Sequence, residues 1–188
     1  MSQSEELWVE YSSQGEPVGS LTRADAAAGA LHAASHVWIW RKHVDAIEVL
    51  LQKRAADKRT WPAHYDISAA GHVDYGETPL EAAVRETQEE IGWHVGTGEL
   101  SLIAVNRTCK ESPDAGKGKT IENEFQYIYF LENQSQELHF ADGEVDAVKW
   151  VTIDQLRDMI SGKSDDLIVP HGEVYFLILL KELEGRNA

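Results

Sequence analysis

GHVDYGETPLEAAVRETQEEIGW, Gly71 to Trp93, is the stretch on which the reading of this chain turns. Thr78-Pro79-Leu80-Glu81 combines a capping hydroxyl, a proline at the first helical position and a Glu three residues after the cap, so a helix begins there. Gly92 marks its end, since glycine is common just past a helix C-terminus. At about 100° per residue from Leu80, the residues Leu80, Ala83, Val84, Thr87 and Ile91 form one apolar stripe. Glu86, Glu89 and Glu90 fall at about 240°, 180° and 280°, so three carboxylates border that stripe on one side of one helix. Like charges at this spacing repel. The cluster is therefore either a solvated acidic face or a site for a cation. Hard oxygen ligands select Mg²⁺, Mn²⁺ or Ca²⁺ over zinc. Arg85, at about 140° and beside Glu89, is placed to orient that carboxylate.

Outward from this helix the chain alternates extended and helical segments. Leu7–Tyr11 reads as a strand, followed by a turn at Gln14–Pro17, and Thr22 caps a short helix through Ala28. His36–Trp40 and Ile47–Leu51 read as two strands, and Tyr65–Ala70 as a further extended piece. Strands are expected around Leu100–Arg107 and Glu124–Leu131, with Glu111–Lys119 between them as a mobile polar loop. Another strand covers Val145–Val151. Thr152 with Gln155 opens a helix to about Ser161, and a last helix starts near His171. Several strands flanked by few helices predict an α/β sandwich around a mixed sheet. The 188 residues suffice for one domain: an N-terminal extension over 1–34, a core over 35–165 and a C-terminal helix over 166–188.

Composition narrows the function classes. Seventeen Lys and Arg face 32 Asp and Glu, a formal net charge of −15, which repels nucleic acid polymers. A small phosphorylated ligand stays compatible if a divalent metal accompanies it. Cys109 is the one cysteine, so no internal disulfide forms. The polar N-terminus lacks the features of a signal peptide, and the apolar run Val174–Leu180 falls far short of the about 20 residues a membrane span needs. A cytoplasmic protein without a membrane partner is expected. Pairing or exchange of the N-terminal strand makes a homodimer an open alternative.

The quoted stretch resembles the Nudix box, G-x5-E-x7-R-E-U-x-E-E-x-G-U with U a large apolar residue. Every fixed position matches; Thr87 stands at the first U and Trp93 at the second. The resemblance implies an α/β/α sandwich in which Glu86, Glu89, Glu90 and the Gly71 carbonyl ligate Mg²⁺ or Mn²⁺. It also implies that Glu77 braces the loop and Arg85 holds a Glu in place. Glu89 or Glu124 would accept the proton from water attacking a diphosphate.

From about Leu7 to Trp150 the chain is further similar to the Nudix branch of isopentenyl-diphosphate isomerase. Gly15–Gly19, Leu31–Ala34, Lys53–Ala55, Trp61-Pro62, Gly71-His72 and Ile121–Glu124 carry that likeness. In isomerases the residues matching His32, His72, Glu122 and Glu124 belong to a metal and proton-transfer site. Here His32, His72 and Glu122 are candidates for binding substrate, and Glu124 for catalysis. Ala70 stands where the isomerases have their catalytic cysteine, and no histidine around Asp25–Ala27 matches their other N-terminal ligand. The box carboxylates, degraded in isomerases, are intact. The reading is a metal-dependent hydrolase of a diphosphate linkage in a nucleoside diphosphate joined to another group. Prenyl-diphosphate isomerisation or hydrolysis, and a non-catalytic nucleotide sensor, are the alternatives.

Overall fold

The computed structural model of the chain describes residues 6–114, 116, 118–133 and 145–186. Strand β1 (Leu7–Tyr11) pairs antiparallel with β2 (Pro17–Thr22), and the short helix α1 (Arg23–Ala27) follows from its Thr22 cap. The main sheet has seven strands: β3 (His32–His43), β4 (Ala46–Arg54), β5 (Tyr65–Asp66), β6 (Ala69–His72), β7 (Leu100–Asp114), β8 (Gly118–Glu132) and β9 (Val145–Thr152). β3 is its centre. It runs parallel to β8 and pairs antiparallel with β4 and β6, so the sheet is mixed.

β3 is buried from His32 to Trp40 because both faces of the sheet are covered. Its side chains alternate between the two faces. Val37 and Ile39 join Leu50, Ala83, Ile91, Trp93, Tyr129 and Leu131 beneath helix α2 (Pro79–Glu86). Trp38 and Trp40 join Ile128, Phe130, Leu156, Tyr175 and Leu179 beneath α3 (Ile153–Ile160) and α4 (Glu173–Gly185). This is the expected α/β/α arrangement with a mixed sheet.

Several expectations are corrected. Glu111–Lys119 is no loop: β7 and β8 form one long hairpin paired out to Asp114 and Gly118, although Ala115 and Lys117 lie outside the described residues. Its polar sequence hid the strands, and the tip is held from elsewhere, by Arg59 binding both carboxylate oxygens of Asp114. Pro17–Thr22 is a strand as well as the exit from a turn, and Tyr65–Ala70 splits into β5 and β6. The last helix begins at Glu173, so His171 lies before it. Met1–Glu5, Asn187 and Ala188, at the ends of the expected extension and helix, lie outside the described residues. Strand β1, expected as a candidate for pairing with another copy, uses both edges within the chain: one on β2, the other on Leu31, Val73 and Tyr75. No helix among the described residues is long and apolar enough to cross a membrane.

The box helix also departs from a uniform 100° progression. Its capping box is present at Thr78 and Glu81, but Thr87–Ile91 is a π-helical turn before Gly92 closes it in the left-handed region. Such turns occur often at functional sites. Thr87 is buried here with its hydroxyl donating 2.7 Å to the Ala83 carbonyl, which explains how a polar residue fills an apolar position of the box.

Candidate active site

Two groups of residues meet at β6. The first belongs to the box. Arg85 is its hub: Nε and Nη2 donate to the two oxygens of Glu77 at 3.1 and 3.0 Å, and Nη2 also donates to the His72 carbonyl at 3.0 Å. Nη1 donates to Glu86 at 2.6 Å and Glu89 at 3.2 Å. Glu77 in turn accepts 3.1 Å from the Asp74 backbone N–H, so it braces the loop. Glu90 turns inward instead, accepting 3.0 Å bonds from the Ala70 backbone N–H and from Gln52 Nε2. Glu86 occupies the space above Gly71, where an added Cβ would lie 1.8 Å from its Oε1.

This arrangement leaves carboxylate charge in excess. Burial pushes the Glu90 carboxyl up to about 8 despite its two hydrogen bonds, and burial raises Glu86 as well, against the pull of Arg85. Glu89 stays largely exposed. Glu86 and Glu89 on one guanidinium, with Glu90 bonded to the neighbouring strand and a glycine that leaves room, are oxygen donors of the kind a hard divalent cation takes.

The second group lines a cavity of about 740 Å³. Strand alternation builds its floor: His32, Ala34 and His36 from β3, Glu122, Glu124 and Gln126 from β8, and Ala70 and His72 from β6. His32 Nε2 lies 3.4 Å and His72 Nε2 4.0 Å from Glu124 Oε1, while Gln126 Nε2 donates to Glu124 Oε2 at 3.2 Å. Among the described residues these three are the ones whose ligand atoms gather within 4.8 Å of one another as a metal would require. The oxygens of Glu86, Glu89 and Glu90 are not so gathered. Burial would raise the Glu124 carboxyl, but the hydrogen bond from His32 and the His72 and His32 rings hold it well below the usual range. Trp8 of β1 stacks on His72 with ring centroids 3.6 Å apart, so the N-terminal segment also walls this site. Glu122 pairs with Lys110 at 3.3 Å.

Sequence reasoning missed the other end of the cavity. Asp66 accepts from His171 Nε2 at 2.7 Å and from Arg54 Nη1 at 3.0 Å, and His36 Nδ1 lies 2.9 Å from the Tyr175 hydroxyl. His36 was signalled by its even spacing from His32 on one strand. Asp66 and His171 are 105 positions apart and carried no local signal.

These shifts act in opposite directions on stability. Burial, aided by His171, pushes His36 down to about 3, so between that value and an ordinary histidine pKa near 6.5 the unfolded chain binds a proton the native one refuses. Stability falls as pH drops through that window. Glu90 is the reverse: between an ordinary value near 4.5 and about 8 the native state holds the extra proton, so stability falls as pH rises. Burial also lowers His72, to about 4, and this adds to the acid decline, so in chelator the urea unfolding midpoint is expected to peak at about pH 6. Mn²⁺, which binds the ionised carboxylate, should remove the alkaline decline but not the acid one. A midpoint unchanged from pH 5 to 8 in chelator would contradict this assignment.

A NUDIX domain model matches residues 30–175. The chain belongs to the Nudix family. An uncharacterized Nudix hydrolase of Listeria innocua is 46% identical over 161 residues, covering 85% of this chain and 82% of that protein. Nudix hydrolase 3 of Arabidopsis thaliana is 35% identical over 76% of this chain, which spans 18% of that protein's length. The isopentenyl-diphosphate Delta-isomerase of Serratia proteamaculans is 30% identical, covering 85% of this chain and 79% of the isomerase. A crystal structure from Deinococcus radiodurans superposes with a TM-score of 0.67 at 20% identity, covering 93% of this chain and 98% of the other. This Nudix chain is thus an enzyme acting on phosphoanhydride compounds, with a similarity to the isomerase branch.

Proposed function

We propose that this Nudix enzyme is a Mg²⁺- or Mn²⁺-dependent hydrolase that splits a diphosphate linkage in a nucleoside diphosphate joined to another moiety. The observation that carries this reading is the packing of the box on β6. Glu86 fills the space over Gly71 and Glu90 caps the Ala70 N–H, and both of those β6 residues wall the cavity. Glu86, Glu89, Glu90 and the Gly71 carbonyl would hold the ion. When bound, it supplies neutralisation of the diphosphate charge and activation of the attacking water.

The chain's own residues do the rest. Arg85 holds Glu86 and Glu89 on one guanidinium nitrogen and so sets their spacing. As the water oxygen bonds to phosphorus, the bridging P–O bond breaks and Glu89, the exposed carboxylate, takes the water's proton. Glu124 is a poorer proton acceptor because both its oxygens are engaged. With His32, His72 and Glu122 it holds the substrate in the cavity.

The gathering of His32, His72 and Glu124 favours one second reading, prenyl-diphosphate isomerisation. Against it, Ala70 lines the cavity where that chemistry needs a thiol, and Cys109 is exposed on β7, outside the cavity lining. A methyl group transfers no proton to an allylic carbon. The test is a Mn²⁺-supplemented screen over nucleoside diphosphate sugars, dinucleoside polyphosphates, nucleoside triphosphates and isopentenyl diphosphate. Phosphate-bearing products from a nucleotide substrate are expected, with no allylic isomer. Formation of that isomer without nucleotide cleavage would overturn the hydrolase reading.

A further inference from the structure

The cavity's far end holds a buried network that the box chemistry does not use. Asp66 is its anchor: Oδ1 accepts from the Ile67 N–H at 2.8 Å and from His171 Nε2 at 2.7 Å, and Oδ2 accepts from Arg54 Nη1. Arg54 is fixed in turn by the Thr60 carbonyl and hydroxyl, each at 3.1 Å. An ionised Asp66 makes His171 Nε2 the donor. Among the described residues His171 Nδ1 then has no hydrogen-bond partner, and the residue lines the cavity.

The tautomer of the neighbouring His36 follows from donor arithmetic. Trp38 Nε1 can only donate, and it lies 2.9 Å from the Tyr175 oxygen. The Tyr175 hydroxyl therefore spends its own proton on His36 Nδ1. A neutral His36 carries its hydrogen on Nε2, which likewise has no hydrogen-bond partner among the described residues, and His36 lines the cavity. The two imidazoles lie 5.5 Å apart, centroid to centroid. Glu124 and His72 also act electrostatically on His36, and the Lys110 ammonium donates to the Pro170 carbonyl, next to His171, at 2.7 Å.

We infer that His36 and His171 form a phosphoryl-binding subsite at the far end of the cavity, where His36 Nε2–H donates to a phosphoryl oxygen and Asp66 is the positioning residue that turns His171 Nδ1 toward the same group. His32 and His36 are four residues apart on one strand, about 13 Å. The ligand is therefore extended, with a phosphoryl group at His36 and His171 and its scissile anhydride near β6. The substrate class is a nucleotide diphosphate compound carrying an additional phosphate on the remote moiety. That identity rests on the hydrolase reading. Binding at the subsite does not.

The experiment is a titration of the full, chelator-treated chain with inorganic phosphate, followed by the ring ¹⁵N resonances of all histidines. His36 and His171 should respond together and saturate. His171→Gln should weaken phosphate at least tenfold, and Asp66→Asn severalfold, with unfolding temperatures recorded for each. Tyr175→Phe, which keeps the ring in the core but removes the proton donated to His36, should weaken binding while leaving the fold intact; it serves if the other variants fail to fold. Phosphate that moves only His32 and His72, or that binds Tyr175→Phe and His171→Gln as well as the native chain, would overturn the subsite. A substrate found in the screen should show KM raised about tenfold in His171→Gln with kcat nearly unchanged; a fall in kcat alone would overturn it too. Failure of every substrate in that screen would instead count against the hydrolase reading, since phosphate binding is read without turnover.

Discussion

Exchanging Glu89 or Glu90 for Gln is expected to lower turnover about 100-fold or more in each case, with little loss of fold. The substitution keeps volume and an accepting oxygen but removes the charge that a divalent cation needs. At position 90 the Gln carbonyl can still accept from the Ala70 N–H and from Gln52, so the seat on β6 survives. Burial already penalises the ionised Glu90, so Glu90→Gln should hold or raise the unfolding temperature of the chelated protein. Glu89 is exposed, and its replacement costs only the 3.2 Å contact with Arg85. Steady-state kinetics across a Mn²⁺ series, paired with thermal unfolding, separates the two effects. Unchanged activity in both variants would remove these carboxylates from the chemistry.

Gly71→Ala should be as damaging to activity and, unlike the carboxamide exchanges, costly to stability. The new Cβ would lie 1.8 Å from Glu86 Oε1 and 2.1 Å from its Cδ, so Glu86 has to leave its seat. Leaving breaks its 2.6 Å bond to Arg85 Nη1 and loosens the hub that also holds Glu77 and Glu89. Forcing extra volume into a packed site typically costs about 1–3 kcal/mol. Pairing it with Glu86→Gly should recover most of that stability by emptying the contested space, yet leave activity lost, because a ligand is gone. A fully active Gly71→Ala enzyme would mean that Glu86 need not sit over β6 for catalysis.

Legibility differed along the chain for physical reasons. The box helix was readable because its signals are local: Thr78, Pro79, Glu81 and Gly92 each act on backbone groups within a turn of themselves. Arg85 and Glu77 were readable for the same reason, eight residues apart across one loop and helix. The π-turn at Thr87–Ile91 was not, since Thr87 carries no local mark that distinguishes a wider winding. The hairpin tip escaped because its strands are polar and one of its ties is Arg59, 55 positions from Asp114. Glu124 was singled out from its place on a strand, but its neighbours His32, His72 and Gln126 come from three different strands, so their meeting could not be read from the sequence.

What the chain's order of residues determined on its own was the capped helix with its row of carboxylates, the alternation along β3 and β8, and the family those patterns mark. Short-range hydrogen bonding and the two-residue period of a strand act within a few positions, so they can be read in one dimension. Only the tertiary structure decided that Glu86 rests in the space left by Gly71, that His32, His72 and Glu124 meet at one point, and that Asp66 and His171 close the far end of the same cavity. Those contacts join separate strands and the C-terminal segment, and a contact exists only where folding has already brought its two partners together.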